Sequence, residues 1–440
     1  MRIQSRFYDD YAQEVCRVRD CLDGQRAIKR QGQAYLPRPD GLSHNQYQAY
    51  LTRALYLGVA ERALSGLTGI ALRRDPVVEL PERLAPMLES ATVEGNSLDM
   101  LVEWTLKETL SIGYSLLLLD FPRDGNTSLS LPNVCKYRAE EVLDYRVEIR
   151  DGVRKLTYLR IQEGVDDFSD ENAPERHIVL EADPVYSFRI LERTTPTDGF
   201  IEVDAVIPQV NGQPLFFIPA VFPSPANLDP TPEKPPFADL CDLSISHYQN
   251  SADLEHMLYL TASPTPFTKG PLNENNKPTT IGAGQIWHLG SDGDAGFLEP
   301  KGGGISHLRE HMAKKEEQMA AIAARFLTDG TMNRNETHET ARLRTSGELS
   351  LLRGAIRSTE VAIRKLLRWS AEWTGTDPED VRFEMSKDLL TTSIDPKMLS
   401  ELSKALMAGQ ISFKTFVENL QAAEIIPRNR TVDDEREMIE

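Results

Sequence analysis

Four cysteines in 440 residues, Cys16, Cys21, Cys135 and Cys241, are too few and too irregularly spaced for a disulfide framework or a CxxC metal knuckle, so free thiols are the expected state. Long apolar runs are missing as well. The longest candidate, SIGYSLLLLDF from Ser111 to Phe121, falls short of the roughly 18 residues of a membrane helix and reads as a core segment. The start, MRIQSRFYDD, lacks the apolar stretch of a secretory signal, which sets the expectation of a protein that stays in the cytosol where it is made. Positive charge is in deficit: 49 Lys and Arg stand against 67 Asp and Glu, a formal net charge of −18. Tight binding of nucleic acid needs clustered cations to neutralise phosphates, so an acidic chain is expected not to grip DNA, although it could surround it. No nucleophile elbow or other hydrolase signature occurs. Gly302, Gly303 and Gly304 precede a helical run but lack the GxxxxGK[ST] phosphate-binding pattern, and the simpler account is a flexible joint.

What is present is ordinary globular material, 40% hydrophobic and 26% charged, long enough for a large core divided into two to four modules. Its charge is unevenly spread: residues 1–74 carry +5, 75–304 carry −20, 305–375 carry +3 and 376–440 carry −6. The chain is organised around the stretch from Gly304 to Gly375, which reads as two helices with one interruption. In the first, Ile305, Leu308, Met312, Met319, Ile322 and Phe326 recur at helical spacing along one face, with charged residues opposite. At about 1.5 Å per residue the run from Ile305 to Leu327 is roughly 35 Å long, suited to lying beside another helix or beside copies of itself. A polar interruption, TDGTMNRNE, follows, and then about forty helical residues from Glu336 to Thr374 with Leu349, Leu352, Ile356, Ile363, Leu366, Leu367, Trp369 and Trp373 as the apolar stripe. Gly347 and Gly354 read as weak points in it, and Asn333 with Glu336 forms a candidate capping pair. Two helices held together around a polar loop make a device for presenting that loop.

Taken in order, residues 6–75 are mainly helical, broken by a turn at YLPRPDG. Ser97 is placed to cap LDMLVEWTLKETLSIG, which stops at Gly113 and leads into a strand from Ser115 to Asp120. From Asn133 to about Pro223 the texture is that of strands. YRVEIRDGVRKLTYLRIQEG reads as a hairpin about Arg-Asp-Gly, and a further turn falls at Asn211-Gly212. The proline-rich passage from Pro219 to Pro236 excludes helix and central strand and reads as a stiff connector. A helix from Phe237 to about Ala262 follows. The next forty residues are rich in Gly, Asn, Pro and Thr, with strand candidates near Gln285–Leu289 and Gly296–Leu298. Antiparallel packing of the flanking helices would hold residues 264–303 out as a tip on a stalk. After Gly375 a strand-like VRFEMSKDLL leads to a helix begun by Asp395 and Pro396, a second helix in ISFKTFVENLQAAEI, and a charged tail.

Three groups of side chains invite a chemical reading. His307, Glu310 and His311 spell HLREH, the H-x-x-E-H pattern of inverted zinc peptidases, in which two histidines share a metal and the glutamate acts as base. No third ligand is distinguished by spacing, and histidines four apart are common on helix surfaces, so a solvated or interface pair is the plainer reading. Arg342, Arg344, Arg353, Arg357, Arg364, Lys365 and Arg368 form a basic face interleaved with Glu339, Glu348 and Glu360, fitted to salt bridges with an acidic neighbouring subunit better than to DNA. Arg26, Lys29 and Arg30 in the positive N-terminal unit divide the same way. Trp104, Trp287, Trp369 and Trp373 read as core or interface anchors.

The succession DGQRAIKRQGQAYLPRPDG, DLCDLSISHYQNSADLEHMLYLTASPTP, LREHMAKKEEQMAAIAARFL, ETARLRTSGELSLLRGAIRSTEVAIRKLLRWSAEW and MAGQISFKTFVENLQAAEII resembles the portal proteins of tailed bacteriophages, in their DUF4055 portal-like branch. The resemblance implies an α+β portal fold: a wing over residues 1–235, helical to 113 and β-rich from 115 to 223; stem helices at 237–262 and 305–327; a small clip at 264–303; a tunnel loop at 328–337; a long helix behind it at 338–375; and a small helical crown at 376–440. It further implies a ring, usually dodecameric, at one capsid vertex of the virion, assembled in the host cytoplasm, with double-stranded DNA passing without sequence specificity. Implied partners are the terminase large subunit, a head-completion or adaptor protein, and the major capsid and scaffolding proteins, with no membrane, cofactor, metal or catalytic residue. On this reading Thr331, Asn333, Arg334 and Asn335 face the channel, and Asn273, Asn275, Asn276, Lys277 and Trp287 dock partners at the clip. Another ring-forming connector and a zinc peptidase are the alternatives.

Overall fold

The computed structural model describes residues 6–120, 131–163, 174–195, 199–210, 212–262, 265–269, 292–298, 303–327, 338–386, 396–422 and 426; within them, the side chains of 6–10, 265, 298, 303, 323–327, 338–350, 396–399, 418 and 422 are not described. The architecture is α+β, with long helices and several small antiparallel sheets. It opens with four helices, α1 (Arg6–Asp23), α2 (Gln25–Arg30), α3 (His44–Arg53) and α4 (Val59–Ala71). A capping box starts α3: the Ser43 hydroxyl accepts from the Gln46 amide at 3.4 Å while the Gln46 carboxamide accepts from the Ser43 amide at 2.8 Å. The periodicity predicts one helical run through to Arg74, but the chain leaves the helix over residues 54–58. There the Leu55 amide donates to Ser251 Oγ at 2.9 Å and the Leu55 carbonyl accepts from the same hydroxyl at 2.8 Å, so tertiary bonds replace the helical ones.

Next come β1 (Val77–Glu79), α5 (Leu98–Ser111), β2 (Ser115–Asp120) and β3 (Asn133–Arg138). Ser97 caps α5 as its sequence predicts, accepting from the Met100 amide at 3.3 Å. The strand-like region is a five-stranded antiparallel meander, β4 (Val142–Arg150), β5 (Val153–Gln162), β6 (Glu175–Ala182), β7 (Tyr186–Arg193) and β8 (Ile201–Val206), each strand beside its sequence neighbours. At the predicted Arg-Asp-Gly turn, Asp151 (φ 56°) and Gly152 (φ 75°) both take positive φ, the geometry of a two-residue hairpin loop whose twist matches the strands. Two short strands, β9 (Gln209–Val210) and β10 (Gln213–Pro214), pair across the Asn211-Gly212 turn, and β11 (Ala220–Val221) adds an edge strand to β2.

The second half supplies α6 (Ala238–Ala262), the hairpin β12 (Thr265–Lys269) and β13 (Asp294–Leu298), α7 (Gly303–Leu327), α8 (His338–Thr374), β14 (Arg382–Glu384), α9 (Pro396–Met407) and α10 (Phe413–Ala422). Strand β14 returns to the beginning of the chain and pairs with β1, Val78 opposite Phe383. Sequence alone gives no hint of β1 or of this pairing. Gly303 and Gly304 belong to α7 and are not the joint expected of them; Gly304 lies against α6, where an added Cβ would stand 3.4 Å from Met257 Cε.

One continuous core joins α1, α3 to α6, the sheets, α7 and α8. Two contacts fix its parts. Arg19 on α1 makes a bidentate pair with Glu108 of α5, both bonds 2.6 Å, and reaches Glu140 at 2.9 and 3.1 Å. Burial opposes the charge on Arg19, but the two carboxylates outweigh it and hold the guanidinium protonated. The proline-rich connector crosses α8 at Gly354 and, one turn on, Ser358, whose hydroxyl accepts from the Ser224 amide at 3.2 Å. An added Cβ at Gly354 would fall on the Pro225 carbonyl, so this glycine is a crossing point and not a weak point.

Replacement of Gly354 by Ala is expected to destabilise the fold by about 1–3 kcal/mol despite alanine's higher helix propensity. Arg19→Met strands the buried Glu108 carboxylate and is expected to cost about 3–5 kcal/mol. Chemical denaturation of the full chain measures both.

Candidate functional site

Helices α6 and α7 form an antiparallel pair, with Ser244 against Met319, His247 against Glu316, Asn250 against Lys315 and Met257 against Gly304. The α7 stripe behaves as its spacing predicts: Ile305, Met312 and Met319 are buried, and Leu308 and Ile322 are partly so. One buried position is unexpected. Lys315 is only 9% exposed, and its ammonium donates to the Ser246 carbonyl (3.1 Å), Ser246 Oγ (2.7 Å) and Asn250 Oδ1. All three acceptors are neutral, and burial lowers the lysine pKa. Beside it the His247 Nε2 lies 3.0 Å from Glu316 Oε1, and Ser244 Oγ lies 3.3 Å from Met319 Sδ. These directional bonds admit one register between the helices where an apolar seam would tolerate sliding.

The other side of α6 is braced by the N-terminal helices. Tyr50 donates to Asp253 Oδ1 at 2.6 Å, Gln249 donates to the Tyr35 carbonyl at 2.8 Å, and Arg17 pairs with Asp242 at 3.0 Å. His256 packs edge-on to Tyr50, ring centroids 5.5 Å apart, with Arg53 Nη1 3.4 Å from its Nδ1. At the far end β12 and β13 pair in register from Thr265 opposite Leu298 to Lys269 opposite Asp294. Hence a two-stranded tip does sit on a two-helix stalk. Leu260, Phe267 and Phe297 are exposed there, while the Arg53 guanidinium lies 3.9 Å over the Tyr259 ring. Of the two strand candidates, Gly296–Leu298 is the end of β13, and Gln285–Leu289 lies outside the described residues. Strand β12 was hidden by Pro264 and Pro266, which read as a helix stop.

Away from the seam α7 carries Arg309, Lys314, Glu310 and Glu317, together with His307 and His311, all exposed. Two cations against two carboxylates leave it close to neutral. His307, Glu310 and His311 are therefore solvated, and among the described residues no group of three His, Cys, Asp or Glu side chains could hold a metal ion. The channel candidates Thr331, Asn333, Arg334 and Asn335, the capping partner Glu336, and the tip candidates Asn273, Asn275, Asn276, Lys277 and Trp287 lie outside the described residues.

Behind the stalk, α8 buries Leu352, Ile356, Ile363, Leu366, Leu367 and Trp373, while Trp369 and Trp104 pack partly buried against the same core. Its basic face differs from the intersubunit reading. Arg364 pairs with the buried Glu360 at 3.2 Å, Arg368 pairs with Glu379 at 3.2 Å, and Lys365 lies 4.7 Å over the Trp369 ring. Arg364 and Arg368 thus find their carboxylates within the chain, one on the same helix face four residues back and one just beyond the helix end. Arg353 and Arg357 remain exposed, and the side chains of Arg342 and Arg344 lie outside those described.

The His256 pKa is lowered by burial first and by Arg53 second, and that of His177 on β6 is lowered by burial and by Arg160. Both rings are therefore neutral in the fold where the unfolded chain, near the ordinary imidazole value of about 6.5, takes up protons. Their contribution to stability is complete above that pH and is lost as pH falls through the lowered folded values. The double variant His177→Gln, His256→Gln is expected to show a flatter decline of melting temperature below pH 6.5 than the wild-type chain. Met319→Ala should cost about 2–5 kcal/mol and raise hydrogen exchange in both α6 and α7.

No curated protein matches this chain. A domain of unknown function, DUF4055, is present over residues 236–374, a span that begins at α6 and ends with α8, so the stalk, its tip and the long helix behind them are what the chain shares with that family.

Proposed function

We propose that the chain is the subunit of a phage portal ring, set at one capsid vertex of the virion after assembly in the host cytoplasm. The observation that carries this reading is the stalk: two register-locked antiparallel helices ending in a small β tip, inside the segment that matches DUF4055. Around a ring, copies of α7 would line a bore for double-stranded DNA. Its near-neutral outward face suits that task, because a strong cation–phosphate contact would be a trap costing energy to leave at every step. The exposed aromatic tip would dock the terminase large subunit during packaging and a head-completion or adaptor protein afterwards, and residues 328–337 would narrow the bore. Capsid and scaffolding proteins would meet the outer parts of the ring. The work is mechanical, and no residue is assigned a catalytic role. A described helix long and apolar enough to cross a membrane is absent.

Native mass spectrometry at moderate salt, with negative-stain images of the same sample, is expected to give a ring near twelve times 49.5 kDa with a central hole. A monomer carrying stoichiometric zinc would overturn the proposal in favour of a peptidase at His307 and His311. Rings that never bind terminase would point to a different head–tail connector.

A further inference from the structure

Two of the four cysteines, far apart in sequence, meet in the core. Cys21 stands in the last turn of α1 and Cys241 in the first turn of α6, and both side chains are fully buried. Cys21 Sγ lies 3.9 Å from the Cys241 carbonyl oxygen, and the two thiols are in hydrogen-bond contact with each other. Neighbouring contacts fix the register of α1 on α6 at this point. One turn before Cys21, Arg17 pairs with Asp242 at 3.0 Å, and the Tyr56 hydroxyl donates to the Cys21 carbonyl at 3.2 Å. Tyr56 is itself set edge-on to Tyr248 of α6, ring centroids 6.3 Å apart. Sulfurs held in this way need only close from contact to about 2.05 Å to form a disulfide. The remaining cysteines lie elsewhere, Cys16 exposed on α1 and Cys135 half-buried on β3.

Contact between the thiols also divides their acidity. The hydrogen bond with Cys241 lowers the Cys21 pKa, while the same bond and then burial raise that of Cys241. The first proton therefore leaves Cys21, and its thiolate is the nucleophile of the pair. Hydrogen peroxide, little larger than water, is an oxidant able to reach such a site through local openings of the two helices. The Cys21 thiolate attacks one peroxide oxygen, the O–O bond breaks, and hydroxide leaves to take up a proton and become water. Cys21 is then a sulfenic acid facing a thiol, and these two groups condense. The Cys241 sulfur attacks the Cys21 sulfur, the S–O bond breaks, and the oxygen departs as a second water with the Cys241 proton. Two thiols have given up two electrons, and one peroxide has been reduced to two waters.

We propose that Cys21 and Cys241 are a modification site, a thiol pair that peroxide converts to a disulfide and so to a covalent lock between α1 and the stalk helix α6. In a reducing cytosol both stay thiols and the helices pack without the bond; oxidising surroundings outside the cell close it. The bond joins residues distant in the chain, so it restricts partly opened states of the brace under the stalk more than the packed one. As a device of a virion the lock rests on the portal reading; as chemistry of this chain it does not.

The test uses the full-length protein, reduced, freed of reductant and treated with hydrogen peroxide, its remaining thiols then alkylated in denaturant before digestion. Mass spectrometry is expected to find the Cys21 and Cys241 peptides joined, to find them joined equally in the double variant Cys16→Ser, Cys135→Ser, and to see the link removed by dithiothreitol. Hydrogen exchange in α1 and in the first half of α6 is expected to slow at least about tenfold on oxidation. The same treatment should leave exchange unchanged in Cys21→Ala and in Cys241→Ala, either of which serves if the other fails to fold. Cys21 and Cys241 both still alkylated, Cys21 joined to Cys16, Cys21 carried on to sulfinic acid, or a link without slower exchange overturns the lock. Rings that form but never carry the link after peroxide overturn it and leave the portal reading standing. A chain that carries the link and forms no ring defeats the portal reading and upholds the lock.

Discussion

Everything in the described structure is arranged around the burial of one helix that is not an amphipathic helix. Between Ala238 and Ala252, α6 buries Leu240, Cys241, Ser244, Ile245, His247, Tyr248, Ser251 and Ala252, which point in several directions because α1, α3, α4 and α7 surround it. A helix enclosed on most sides must offer small or satisfied polar groups wherever neighbours come close. Ser251 meets this demand by bonding both backbone groups of Leu55, and Ser244 by bonding the Leu240 carbonyl. Beyond Ala252 the helix is more exposed, and the N-terminal helices brace one side of it as far as Tyr259, through Tyr50 on Asp253 and Arg53 over the Tyr259 ring.

Charge is handled in two ways, by depth. Deep in the fold, Arg19 satisfies Glu108 and Glu140 with four hydrogen bonds, enough to offset the desolvation of the three groups. On the meander the pairs are exposed and alternate in sign, as with Arg176 and Glu192 or Arg189 and Glu181, and each contributes little to stability. Their effect is to leave almost no net field on that face.

Legibility followed the range of the interactions. Helix α7 was readable to within two residues of its start because its apolar spacing is local, and the β4–β5 hairpin because Asp-Gly chemistry is confined to four residues. Three features were not readable, each decided at long range. The break after Arg53 depends on Ser251, nearly two hundred residues away; β1 becomes a strand only against β14; and Lys315, which looks like a solvated lysine on a charged helix, is taken inside by Ser246 and Asn250. Gly354 belongs with them, since no local signal separates a helix-weakening glycine from one over which another segment passes.

The polar seam between α6 and α7 bears on what the stalk can do. If apolar contacts alone joined the two helices, each could slide or roll by part of a turn at small cost, because hydrophobic attraction has no direction. Lys315 has no such freedom: shifting α7 by one residue would take its ammonium from three acceptors into a protein interior where burial already disfavours its charge. On the proposed reading, a wall built from copies of this pair would hold a bore of fixed width under load.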